Sequence, residues 1–321
     1  MRRAAAVTGR GQGCDTAAGW LDRCRRGVFS GPPRKSRIGG LQTIVSFLFV
    51  HRITELDAQR ARGEFRCAAG AAELPVWVAI EAIGQLACWI AAARSDFTTR
   101  PVAAVVREGR IPHGMATAAT ERVVLEAQLD RIDGRAVLYG GRALAGNTEI
   151  AGLGGCVGPM LPLEAFDDPA AVRARLAALR AGDTARAPLS AAGLPQPDLR
   201  DVAIHGSTGR AELWVPQAAP FFADHFPRQP VYPASLLAAA QNELARRVAA
   251  AVLGAESEGV APTLIAGFKV RAFSPPGQRL ELSAEARPPQ GERAAVAVTV
   301  HGDGQRIASS VIEYRLRQAT R

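Results

Sequence analysis

Two side chains stand where acid–base chemistry is within reach. His225 lies in Phe221-Phe-Ala-Asp-His-Phe-Pro-Arg-Gln-Pro-Val-Tyr-Pro-Ala234, a segment whose prolines fix the chain around it. Imidazole titrates near neutrality, so it can take a proton from a weak carbon acid. Glu81 lies within Val78-Ala-Ile-Glu-Ala-Ile83, and apolar surroundings favour the protonated, proton-donating form of any carboxyl. Each residue has an ordinary alternative: a helix glutamate facing water, and a histidine that only supports its loop. Gln85, one turn beyond Glu81, either orients the carboxyl or satisfies internal polar groups. Asp224 can raise or lower the proton affinity of its neighbour or point away. Cys67 reads as a small buried thiol rather than a nucleophile, and His51, His113, His205 and His301 read as structural.

The elements that must position these groups occur twice. Phe47–Leu56 and Arg60–Cys67 have strand composition, Pro75 opens a long helix over Val76–Ala93, and strand-like runs follow at Val102–Arg107, Arg122–Leu129 and Arg135–Leu144. The second half repeats the order: strands at Asp201–His205 and Arg210–Val215, a helix Ala234–Leu253 opened by Pro233, then strands at Leu264–Phe273, Arg279–Ala286, Ala294–His301 and Gln305–Leu316. A helix that is apolar on nearly every face must be buried all round, and a curled antiparallel sheet can do this. The expected class is α+β, a double hotdog with two antiparallel sheets, each wrapped around a long central helix. The expected divisions are a basic tail at 1–40, a first domain at 41–157, a linker with a short helix (Asp167–Arg180) at 158–200, and a second domain at 201–317.

The histidine segment resembles the active-site segment of the (3R)-hydroxyacyl-acyl-carrier-protein dehydratases, F-F-x-G-H-F-P-x-x-P-x-x-P-G. His225, Phe226, Pro227, Pro230 and Pro233 match in type and spacing, while Asp224 and Ala234 replace two glycines. In that family the catalytic acid follows fourteen residues later on the helix; here that position is Ala239. The first half has the complementary defect. Leu74-Pro-Val-Trp-Val-Ala-Ile-Glu-Ala-Ile-Gly-Gln85 is similar to the family helix M-P-G-x-x-x-x-E-A-x-x-Q, with Cys67 fourteen residues before Glu81. Phe47–Asp57 resembles the family's opening strand, with His51 where an Asp is usual. Two hotdogs of this family share each active site. The resemblance therefore implies one composite site, with His225 as base and Glu81 as acid, and a dead one where Cys67 meets Ala239.

The implied reaction dehydrates a (3R)-3-hydroxyacyl thioester to the trans-2-enoyl thioester. Backbone N–H groups at the helix N-termini, at Val76 after Pro75 and at Ala234 after Pro233, are candidates for stabilising the thioester oxyanion. No metal or redox cofactor is implied. The substrate would ride on an acyl carrier protein or coenzyme A, with Arg107, Arg110 and Arg271 as a candidate landing patch for an acidic carrier. The competing expectations are a hotdog acyl thioesterase and a non-catalytic acyl-binding or scaffold paralogue.

Composition narrows the partners. The net charge of +9 is concentrated at the start, where residues 1–40 carry nine Arg/Lys against Asp15 and Asp22; the other 281 residues carry +2. A nearly neutral body without a basic, aromatic-interleaved stripe argues against nucleic-acid binding. The helix 76–93 is interrupted by Glu81, Gly84 and Gln85, so no membrane span is expected. Five cysteines without a C-x-x-C argue against disulfides or zinc and for a reducing cytoplasm. A fused pair is expected to form a pseudo-dimer within one chain.

Overall fold

The computed structural model describes residues 46–69, 74–112, 121–183 and 186–317. The basic segment 1–40 with Cys14 and Cys24, and also His113, lie outside the described residues. The first half contains β1 (Arg52–Leu56), β2 (Arg60–Arg66), α1 (Val76–Arg94), β3 (Thr99–Pro101), β4 (Val105–Arg110), β5 (Arg122–Ile132), β6 (Ala136–Ala145) and β7 (Thr148–Pro162). After α2 (Pro169–Ala181) the second half contains β8 (Leu199–His205), β9 (Thr208–Trp214), α3 (Ala234–Leu253), β10 (Val260–Val270), β11 (Arg279–Ala286), β12 (Arg293–Gly302) and β13 (Gln305–Leu316).

One sheet forms where the sequence pattern led us to expect two. Its order is β1-β2-β5-β6-β7-β4-β10-β13-β12-β11-β9-β8, with β3 paired to β7. The second half repeats the first in reverse about the central pair. That pair is antiparallel, with Arg110 opposite Leu264, Gly109 opposite Ile265 and Val105 opposite Lys269. The physical reason is edge satisfaction: β4 and β10 each end their half-sheet, and pairing satisfies backbone groups that two separate sheets would leave open.

α1 packs on β2, β5, β6 and β7, α3 packs on β9 to β13, and the two helices touch each other. α1 is long and apolar enough to cross a membrane by length and composition, and two-thirds of it is buried inside the molecule. Both helices start at a proline in the same extended conformation, Pro75 at φ −58°, ψ 138° and Pro233 at φ −59°, ψ 136°, with no side-chain cap on either. α2 instead uses Asp168, whose carboxylate accepts from the N–H groups of Ala170 and Ala171, and it stops at left-handed Gly182.

β7, which carries Gly152, Gly154, Gly155 and Gly158, was not among the strands expected from the sequence. Three of these glycines serve close approach: a Cβ at Gly158 would stand 2.7 Å from the Val102 carbonyl oxygen, and one at Gly152 or Gly155 would crowd the side chains of Arg110 and Arg107. Gly141 on β6 does the same for α1. A Cβ there would meet the Ile83 Cγ2 at 2.5 Å and the Glu126 carbonyl oxygen at 2.4 Å. Gly141→Ala is therefore expected to lower stability in urea denaturation by about 1–3 kcal/mol through overpacking. Gly134→Ala, with nothing within 4 Å of its new methyl, should leave stability nearly unchanged.

Candidate active site

α1 is buried nearly all round, but Glu81, Gly84, Gln85 and Cys88 are only half-buried. Their spacing of three and four puts them on one face, and all four line a cavity of about 1270 Å³ including its open mouth. His225 lines the same cavity, together with Phe47, Arg100, Asp167 and Ala234. The imidazole and the carboxyl thus open into one space, although they come from opposite halves of the chain.

The histidine loop is held by its own backbone. A short 3-10 turn at Pro220–Ala223 precedes it, His225 N–H donates to the Phe221 carbonyl (2.8 Å), and Val231 N–H donates to the His225 carbonyl (3.3 Å). The ring Nδ1 lies 3.2 Å from the Val231 carbonyl oxygen. A carbonyl accepts only, so Nδ1 carries the proton and Nε2 is left as the basic nitrogen. Phe226 stacks on the imidazole at 4.1 Å between centroids, and Phe47 meets it edge-on at 5.6 Å. Burial among these rings holds the His225 pKa below the ordinary value. The Glu81 charge pulls it back up, and the Arg100 charge pushes it further down.

A chain of hydrogen bonds ties the two halves of the site together. Gln85 Nε2 donates to Glu81 Oε1 (3.0 Å) and to the Phe47 carbonyl (2.8 Å), while Gln85 Oε1 accepts from Phe49 N–H (2.8 Å). Gln85 therefore both orients the carboxyl and satisfies the backbone of residues 47–49. Asp224, at a family glycine position, accepts from Phe47 N–H (2.8 Å) and Ser46 Oγ (3.0 Å). No sequence signal distinguished this role, because the bond crosses from one half to the other.

A second cavity, of about 840 Å³, adjoins the first. Both include Glu81, Gly84, Tyr139 and Ala234 in their walls. Its other walls are mostly apolar, Val76, Ile80, Ile265 and Ala239 among them, with Ser235 and Asn242 as polar members. The N-terminus of α3, with Ala234 behind Pro233, faces the junction, and Val76 faces only the second cavity. Cys67 lies in neither wall; its segment pairs with Leu189. Of the three candidate landing arginines, Arg110 is engaged by Glu108 (3.2 Å) and Glu149 (3.1 Å), and Arg271 donates to Ser309 Oγ. Arg107 is exposed.

Sequence reasoning missed Arg100, Asp167 and Arg175. Arg100 projects from the short strand β3, which has no periodic signal, and its guanidinium carbon lies 4.0 Å from the Phe226 ring centroid. Asp167 is buried and pairs with Arg175 at 3.2 Å. Burial pushes the Cys88 thiol up to about 11, leaving it neutral. Among the described residues no cluster of three His, Cys, Asp or Glu side chains could hold a metal ion.

No family model matches the chain, and no curated protein is similar to it in sequence. Solved structures are similar in fold. An acyl-CoA thioesterase II from Mycobacterium marinum aligns at 13% identity over 84% of this chain and 97% of its own, with a TM-score of 0.50. The tesB protein of Mycobacterium avium subspecies paratuberculosis gives 13%, 84%, 97% and 0.52. The dehydratase-cyclase domain of ambruticin biosynthesis gives 18%, 84%, 96% and 0.43. The chain has a hotdog-like fold built on one large antiparallel sheet.

His51 lies outside both cavities and is buried. Its Nδ1 accepts from Arg66 N–H at 3.2 Å, a bond that only an unprotonated nitrogen can accept. Burial, then the charges of Arg186 and Arg66, lower its pKa to about 4. Between pH 6.5 and 4 the unfolded chain takes up this proton and the folded chain does not, so stability falls as pH drops through that window. His51→Asn keeps an acceptor without a titrating ring. It is expected to make the stability-against-pH slope shallower there in urea melts; an unchanged slope would remove His51 from the cause.

Proposed function

We propose that the chain is a double hotdog in a single polypeptide that dehydrates a (3R)-3-hydroxyacyl thioester to the trans-2-enoyl thioester. The observation that carries this reading is the meeting of His225 and Glu81 in one cavity wall, supplied by opposite halves. His225 Nε2 takes the C2 proton, and the electron pair left behind forms the C2–C3 double bond. Glu81, holding its proton on the oxygen not bonded to Gln85, delivers it to the departing C3 hydroxyl, which leaves as water. The thioester oxygen gains negative charge as the C2–H bond breaks, and we assign its stabilisation to the Ala234 N–H, which has no intrahelical acceptor at the first position of α3.

The electrostatics support the assignment. A base depressed by burial stays unprotonated at neutral pH, ready for the first step. When the carboxyl has lost its proton, its charge stabilises the imidazolium just formed, so the environment changes in the direction the reaction needs. An acyl carrier protein or coenzyme A would carry the substrate, with exposed Arg107 near the central strand pair as a contact for an acidic carrier.

A second reading, an acyl thioesterase, rests on the thioesterases among the similar solved structures. In it Glu81 would activate water, and free acid and thiol would be released. The product formed by the wild-type chain separates the readings, and Glu81→Gln and His225→Asn test the two roles. Each is expected to reduce enoyl-thioester formation by about 10²–10⁴-fold while the melting temperature holds. Thiol release by the wild-type chain without enoyl formation would overturn the dehydratase assignment in favour of the thioesterase.

A further inference from the structure

Arg100 has no part in the proton transfers, yet it lines the same cavity. Its guanidinium carbon sits over the Phe226 ring, 4.0 Å from the centroid, and Phe226 is stacked at 4.1 Å on the His225 ring. These two short steps place a permanent positive charge beside the base. Its Nε is buried without a hydrogen-bond partner, and a buried donor left unmade costs its full desolvation.

The polar groups around it are engaged elsewhere. The groups acting on Arg100 are Cys88, Asp167, Glu81 and Arg175. Cys88 is a neutral thiol. Asp167 already pairs with Arg175 and accepts from Asp168 N–H. Glu81 Oε1 is already taken by Gln85 Nε2. Each of the two carboxylates near Arg100 thus has a partner of its own. A buried cation is retained at such expense where something else completes its pairing.

We propose that Arg100 binds a carboxylate carried by the substrate, so that the preferred acyl group is acidic, with its charged end a few bonds beyond C3. This rests on reading the cavity as the thioester site. Guanidinium suits the task because its planar donors match a carboxylate. The cation–π contact with Phe226 fixes its plane before ligand arrives, so little ordering remains to oppose binding. The wall of the adjoining cavity carries no cationic side chain to compete for that group.

The test uses the full chain and two coenzyme A thioesters of matched shape. One is the 3-hydroxyglutaryl thioester, ending in carboxylate; the other is the 3-hydroxy-5-methylhexanoyl thioester, in which isopropyl replaces it. Wild type is expected to favour the first by about ten- to hundredfold in kcat/KM, the worth of one charge-assisted bond. Arg100→Met should bring the ratio to one or below, and Arg100→Lys should recover part of it. Wild type favouring the isopropyl substrate overturns the proposal, as does an Arg100→Met variant that slows both substrates while keeping their ratio. If Arg100→Met does not fold, the wild-type ratio still decides. The ratio does not depend on the product, so release of free acid would defeat the dehydratase reading and leave this one standing. If neither thioester turns over, calorimetric binding of the two ketone analogues, with CH₂ in place of sulfur, gives the same comparison; equal affinities overturn the proposal.

Discussion

The antiparallel pairing of β4 with β10 is the contact on which the rest of the molecule depends. It joins two half-sheets whose outer strands run in the same order away from it. That symmetry brings α1 and α3 into contact and lets a loop of the later half reach the helix of the earlier one. The imidazole of His225 comes from the second half and the carboxyl of Glu81 from the first, so the cavity they share needs both. The site is a consequence of the seam.

Having been brought together, the two groups are tied by bonds that cross the seam. The path runs from Glu81 through Gln85 to the backbone of Phe47, and on to Asp224 next to His225. Every link is a hydrogen bond or a single residue, so the relative position of acid and base is set by local geometry rather than by domain packing alone. Aspartate at position 224, which departs from the resembled pattern, has a constructive part here. Its carboxylate gathers the Ser46–Phe47 segment over the imidazole, and that segment in turn buries the ring and lowers its proton affinity.

The sequence displayed what is local. The proline-rich loop around His225, the polar stripe on α1 and the two proline-started helices all depend on neighbours within a few turns, and their residue types announce them. What it concealed is non-local. That two sheets would merge into one depends on two edges meeting, each of which looks like an ordinary strand. β7 was not among the expected strands, and its glycines are there to admit the backbone of Val102 and the side chains of Arg107 and Arg110. Arg100, on a three-residue strand after two left-handed residues, Asp96 and Phe97, has no pattern to betray it. Its importance comes wholly from what surrounds it.

The asymmetry between the two cavities follows from the same duplication. At Ala239, the position matching Glu81, a methyl group leaves the adjoining wall mostly apolar. A second carboxyl there would have stood close to the first, and two carboxyls in one low-dielectric space cannot both ionise freely. Arg100 lies on the other side of the junction, in the wall of the first cavity only. Glu81 thus stands between a cavity that also holds Arg100, Asp167 and His225 and one whose wall is mostly apolar, so the two sides of the junction differ in charge.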